Sequence, residues 1–267
     1  MLRANDGFVI MIRAWLELPP IGIFLTLTAL YFGLIIALRI LCFCPPFSRP
    51  MQSLNGIVAP FFNASAILFA LLAGFLANDI ADRSRQANRA IQAEAGELRN
   101  VHTLSVAALA DMAAIRDALR TYVTSVSTEE WAAMAEGHGS SRTTAAYDEL
   151  LRKISDPSIA RSSGNAVHTA LLNAAVRAGN ARTERLALAS DHTNDLTWIV
   201  VIALGLITEI SIALVHLDRP RAMTAALIVF ASAAVITLTL VAFQEYPFYG
   251  AFRLSPAPIE AIRALNG

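Results

Sequence analysis

Three stretches of this chain, Leu18–Leu38, Ile57–Ala77 and Ala222–Gln244, contain no Asp, Glu, Lys or Arg. Each reaches the roughly 20 apolar residues that an α-helix needs to cross about 30 Å of hydrocarbon. A fourth, Leu196–Leu217, is interrupted only by Glu209. Lipid offers the backbone no hydrogen-bond partner, so segments of this length and apolarity cross a bilayer as helices. The implied fold class is an all-α integral membrane protein with four transmembrane helices.

Composition agrees once it is divided along the chain. The 267 residues are 55% hydrophobic, with a mean hydropathy of +0.52 and 16% charged. That is too apolar for a soluble protein and too charged for one lying wholly within lipid. Residues 78–195, between the second and third spans, hold 13 of the 21 basic and 15 of the 21 acidic residues. The expected organisation has five parts. Residues 1–17 form an interfacial segment, with Trp15 at headgroup depth. Residues 18–77 carry the first two spans, 78–195 a helical extramembrane domain, and 196–244 the last two spans. Residues 245–267 form a tail in which Pro247, Pro256 and Pro258 rule out one continuous helix, leaving a turn or two at Ile259–Leu265. No cleavable signal peptide is expected, because Phe8–Ile12 is short and Arg13 follows it.

Four spans put both termini and the inserted domain on one side. Ten arginines lie within reach of the membrane there, among them Arg83, Arg177, Arg182 and Arg185, against Arg39, Arg49, Arg219 and Arg221 opposite. The positive-inside rule then predicts a cytoplasmic domain and cytoplasmic termini.

The domain reads as helix. From Ile91 the apolar positions Leu98, Val101, Leu109, Met112, Ile115, Leu119, Tyr122 and Val126 follow a 3.6-residue period. No Pro or Gly interrupts Glu97–Met134, so the second span is expected to continue beyond the membrane as one long helix. Gly137-His138-Gly139 ends it, and an amphipathic helix with Tyr147, Leu150, Leu151 and Ile154 follows. Asp156-Pro157-Ser158 is a helix start signal. Val167, Leu171, Ala175 and Ala178 share a face of the next helix, expected to run through Arg185 and Leu186 into the third span. Two such helices would pack as a stalk.

No enzyme motif is present: no glycine-rich phosphate loop, no HExxH, no nucleophile elbow. The five histidines are scattered, and Cys42 and Cys44 lack the further ligands a metal site needs. The reading is therefore not an enzyme, with no cofactor and no metal. Zero formal net charge leaves no basic excess for nucleic acid. Membrane lipid, small ions and further copies of the chain are the expected partners.

Polar groups inside the spans carry more information. Glu209, near the middle of the third span, is either a pore-facing or proton-linked carboxylate, or a neutral hydrogen-bonded carboxyl at a helix interface near Thr208 or Ser211. In the second span Ala66, Ala70 and Gly74 recur every fourth residue, which permits close helix approach. Asn63 extends that face. Phe61, Leu68, Phe69, Leu72, Phe75 and Leu76 make the rest of the helix bulky. Asn63, Leu68, Leu72, Phe75 and Leu76 are the pore-lining candidates, the bulky ones as a water-excluding constriction. The alternative is ordinary packing within one subunit plus a lipid-facing surface.

Further residues carry a resemblance. Glu94-Ala95 and Leu98 follow the second span; Tyr122-Val123, then Glu129-Glu130-Trp131 and Met134 come next. Arg182, Arg185-Leu186 and Trp198 lead into the third span, and Pro247-Phe248-Tyr249-Gly250 with Ser255-Pro256 follows the fourth. In this order and with this span layout the chain resembles the bestrophin-like family of bacterial membrane proteins, from about Trp15 to Ala261. The resemblance implies a pentameric channel for small ions in the bacterial inner membrane, its second span lining the pore. The Pro-Phe-Tyr-Gly turn is similar to the one preceding the calcium clasp of animal bestrophins. Here Ala251-Phe252-Arg253-Leu254-Ser255 stands in place of that clasp's acidic run, so calcium gating by that route is not expected.

The leading functional reading is an oligomeric ion channel or pore for small monovalent ions. The alternative is a membrane-anchored sensor or interaction protein whose helical domain binds a ligand or partner. A transporter using Glu209 is a third reading. Glu130 is read as orienting the following turn, and Trp131 as a packing anchor at the end of the stalk or part of a subunit contact.

Overall fold

The computed structural model describes residues 11–45, 48, 51, 53–54, 60–108, 110–250 and 252–265, without the side chains of Phe61 and Phe62. The first ten residues, most of the loop before the second span, the start of that span at 57–59, Leu109 and Ala251 lie outside the described residues. Among the described residues every regular element is helical. The chain divides into two compact units, Met1–Ala81 with Thr193–Glu245, and Asp82–His192 with Tyr246–Gly267.

The first unit holds α1 (Pro20–Phe43), the beginning of α2 (Pro60–Ala107), α8 (Asp195–Val215) and α9 (Pro220–Ala242). All four are long and apolar enough to cross a membrane. Prolines open α1 and α9 at the first helical position, where a missing N–H costs nothing and the fixed φ suits the helix. The third span does not continue from the preceding helix as the sequence suggested. The chain breaks at residues 191–194, and the Asn194 side chain caps α8 by accepting from the Leu196 N–H at 3.0 Å. Glu245, at the end of the fourth span, holds the same corner. Its carboxylate accepts from the Thr193 N–H at 2.7 Å, the Thr193 hydroxyl at 3.1 Å and Trp198 Nε1 at 3.1 Å. Arg13 pairs with Asp195 at 3.0 Å, and Trp15 meets Trp198 edge to face at 5.5 Å.

The helices α1, α8 and α9 pack on one another. Leu27 and Tyr31 of α1 are buried with Leu227 and Ala231 of α9. Tyr31 lies directly against Gly205 of α8, so close that a β-carbon there would collide with the hydroxyl and ring. Glycine here provides room rather than backbone freedom. Gly205→Ala should destabilise the protein by about 1–3 kcal/mol through overpacking, read as a lower unfolding temperature. Adding Tyr31→Phe should recover part of the loss.

The second unit contains the remainder of α2, α3 (Ala113–Ser125), a π-helical turn (Val126–Glu130), α4 (Trp131–Ala135), α5 (Ser141–Ile154), α6 (Pro157–Ser163) and α7 (Asn165–Ser190). The tail adds α10 (Ala257–Glu260) and a 3₁₀ turn (Ala261–Ala264), close to the turn or two expected there. One hydrophobic core runs through this unit, with Leu98, Leu119, Tyr122, Leu150, Leu171 and Ile259 fully enclosed.

The long helix expected through Met134 ends instead at Ala107. Asp111 supplies the reason: its carboxylate accepts from the Ala113 N–H at 2.9 Å and starts a new helix. Arg116 reaches back to the Ser105 carbonyl at 3.1 Å and closes the corner. Apolar periodicity continues across the break, which is why the stripe alone concealed it. Between α6 and α7, Gly164 adopts φ +85°, a conformation that strains any residue bearing a β-carbon.

Candidate functional site

The membrane-spanning part of α2 is the least covered of the four spans. Only 17% of its apolar stretch is buried, against 28% for α1 and 44% each for α8 and α9. Asn63, Leu68, Ala70, Gly74 and Phe75 are exposed, Ala66 and Leu72 are intermediate, and Leu76 is buried. Leu76 was expected on the pore-lining face, but it is 2% exposed and packs inside its own chain. Phe69 likewise turns inward, against Phe230 of α9 at 5.5 Å. The bulky half of the helix thus divides into an inner row, Phe69 and Leu76, and an outer row, Leu68 and Phe75. Helix phase accounts for this: Leu68 and Phe75 are seven residues apart on one side, Phe69 and Leu76 seven apart on the other.

Most of the motif residues carrying the family resemblance converge in the second unit, although 154 positions separate Glu94 from Phe248. Glu94 and Glu130 are fully buried, as is Arg185, and Arg182 is 7% exposed. Arg185 donates Nε to Glu94 Oε2 at 2.7 Å and Nη2 to Glu94 Oε1 at 3.2 Å. The same Nη2 reaches Glu130 Oε2 at 2.9 Å. Arg182 donates Nε to both Glu130 oxygens at 3.1 Å, and its Nη2 to Thr144 Oγ1 at 2.9 Å. Tyr122 donates its hydroxyl to Glu94 Oε1. Two acids and two bases close a neutral cluster.

Aromatic groups seal one side. The Arg185 guanidinium stands 5.4 Å from the Trp131 ring centre, and Trp131 meets Phe248 edge to face at 5.6 Å. Trp131 Nε1 donates to the Leu254 carbonyl at 3.2 Å. The Pro247–Gly250 turn delivers Phe248 to this contact: the Leu254 N–H closes on the Pro247 carbonyl at 2.8 Å, and Gly250 takes φ +88°. The π-helical turn widens the helix through Glu130, just before Trp131, and both side chains enter the interior.

Burial opposes ionisation of Glu130, but the Arg182 hydrogen bonds and the Arg185 and Arg182 charges outweigh it and hold its pKa below the ordinary value. Burial pushes the Tyr122 hydroxyl well above its usual range, and the neighbouring Glu94 adds to this, so Tyr122 stays a donor. The sequence reading singled out Glu94, Glu130, Arg182 and Arg185 but gave them no common place. Glu130 does not merely orient a turn; it bridges two arginines. Thr144 and the Glu245 corner were missed, and nothing in their local sequence marks them. Arg182 and Arg185 had also been counted as membrane-side charges, whereas their guanidiniums are engaged in this core.

Among the described residues no group of three or more His, Cys, Asp or Glu is placed to hold a metal ion. A shallow cleft of about 310 Å³ on the second unit is lined by Arg120, Thr124, Thr128 and Arg142, with the two arginines already paired to Asp117 and Glu129.

Four membrane-crossing helices with a helical unit between the second and third define the class of this protein. The bestrophin-like domain matches residues 29–259, and the chain belongs to the bestrophin-like family, a channel-type family. Crystal structures of point mutants of a bacterial bestrophin homolog from Klebsiella pneumoniae share the fold. One has 14% identity and a TM-score of 0.70, covering 90% of this chain and 96% of that one. Another has 13% identity and a TM-score of 0.69, covering 90% and 98%. A structure described only as a mutant membrane protein gives 13% identity and a TM-score of 0.70, covering 90% and 94%. No curated protein sequence matches.

Two outcomes follow from the buried cluster. Arg185→Met should cost about 3–5 kcal/mol, because it strands the Glu94 carboxylate away from water and leaves Glu130 with Arg182 alone. Arg185→Lys should not restore this, since a single ammonium lacks the fork that spans both acids; chemical unfolding of the purified variants reads both. The depressed pKa of Glu130 also sets a sign. Its stabilising contribution should be complete above the unfolded-state value of about 4.3 and fade as pH falls through the lower folded-state value. Thermal unfolding across acidic pH should show this slope, reduced in Glu130→Gln.

Proposed function

We propose that this chain is one subunit of a homo-oligomeric channel that passes small monovalent ions, with the exposed face of α2 turned toward the shared axis. The observation that carries the reading is the low burial of α2 within its own subunit, alone among four apolar spans in covering so little of its surface. Channel-type family membership supports it. In this arrangement Asn63 sits at a mouth of the pore, and Leu68 and Phe75, flanked by Leu72, form a constriction that excludes water. Ala66, Ala70 and Gly74 permit neighbouring copies of α2 to approach. A pentamer is the assembly the family resemblance implies, with the helical unit and both termini cytoplasmic. The segment Ala251–Ser255 carries no carboxylate, so the pore opens without a calcium clasp at that position.

Native mass spectrometry of the detergent-purified protein tests the assembly, and a monomer or dimer would leave no axis for α2 to line. In planar bilayers Leu68→Ala and Phe75→Ala should raise ion conductance severalfold by shortening the water-excluding constriction. Leu76→Ala should lower stability yet leave selectivity unchanged. Currents insensitive to calcium chelation are expected throughout.

A further inference from the structure

Glu209 of α8 is fully buried, and neither of its carboxyl oxygens has a hydrogen-bond partner among the described residues. The hydroxyls beside it on α8 are committed to backbone. Thr208 donates to the Leu204 carbonyl at 2.8 Å and Ser211 to the Ile207 carbonyl at 2.8 Å. Ser211 also accepts from Ser65 of α2 at 3.4 Å.

Among the described residues no basic side chain bonds to Glu209. From α1 the titratable group facing it is Tyr31, whose hydroxyl lies over Gly205, one turn before Glu209, and donates to the Ile202 carbonyl at 3.5 Å. The other titratable groups of α1 are Arg39, whose side chain is exposed, and Cys42, near its C-terminal end. In α9 the only ionisable residue is Arg221, exposed in the first turn. In the part of α2 that belongs to this unit the only one is Asp79, about 21 Å along the helix from Ser65 at 1.5 Å per residue. On α8 itself the other titratable groups are Asp195, in its first turn, and His216, at its C-terminal cap.

A carboxylate in this setting would carry an unshared charge with neither solvent nor counter-ion, and proton uptake relieves that more cheaply than any rearrangement of the core. The Glu245 carboxylate in the same unit makes the contrast: it is equally enclosed but accepts three hydrogen bonds. We infer that Glu209 is a proton-binding site, carried as the neutral acid at neutral pH, and that losing its proton requires water or a displacement of α8 to reach it. Because Ser211 joins α8 to Ser65 two residues further on, proton release would be felt at α2. That consequence rests on the channel reading of α2; the protonation itself does not.

Infrared difference spectroscopy of the full-length protein in lipid vesicles, wild type against Glu209→Gln, reads the protonation directly. The expected result at neutral pH is a carboxylic-acid carbonyl band, shifted by deuterium exchange, that the variant lacks. Loss of an ionised-carboxylate band instead, with no acid band, would overturn the proposal. Should Glu209→Gln fail to fold, a pH titration of wild type with isotopically labelled glutamate carboxyls is used: an acid band that vanishes on alkalinisation supports the site, and its absence at neutral pH rejects it. In planar bilayers, wild-type current should change over the pH range where the band disappears, and Glu209→Gln current should not. No current in either protein at any pH would sink the channel reading while leaving the infrared result intact.

Discussion

Glu94 and Glu130 are buried beyond the reach of water in the extramembrane unit, and such burial is tolerable only because Arg182 and Arg185 are buried with them. Desolvating two carboxylates and two guanidiniums carries a large penalty, and the mutual attraction repays it only where the geometry is close and the remaining donors are satisfied. Both conditions hold: Arg185 spans two acids, and Tyr122 and Thr144 take up remaining capacity. The four charges come from three separate segments of the chain, so the cluster fixes which helices meet and in what register.

Helix ends in this unit follow from the same requirement that polar groups be satisfied. The π-helical turn directs Glu130 inward, and the Gly250 turn brings Phe248 edge to face against Trp131. A helical stalk without the break at Asp111 would carry α3 away from α5, which it packs beside, and the π-helical turn away from α7, to which Glu130 bonds through Arg182.

In the membrane-spanning unit the physical problem is reversed. Apolar surface has no need of burial where the solvent is lipid, so coverage by neighbouring helices becomes informative. Helices α8 and α9 are enclosed where α2 is open. Thr208 and Ser211 there bond to their own backbone, and the Glu245 carboxylate meets a set of donors. Glu209 has a partner for neither carboxyl oxygen among the described residues, and that singles it out among the enclosed acids.

The four spans were legible because charge-free runs longer than about 20 residues have few other outcomes in a chain this apolar. The family layout was legible from motif order, with Glu94, Glu130, Trp131, Arg182, Arg185 and Phe248 named from sequence alone. Their convergence was not, because opposite charges separated by 91 positions, as Glu94 and Arg185 are, carry no mark of partnership in a single sequence. The break at Asp111 stayed hidden because core-facing periodicity runs on through it. On α2, composition fixed which residues are bulky, but only packing against α9 decided that Phe69 turns inward while Leu68 and Phe75 stay out. Sequence by itself determined the solvent each segment must face, since transfer free energy is a property of local composition. Tertiary structure alone decided which polar groups find partners, since that depends on where distant segments meet.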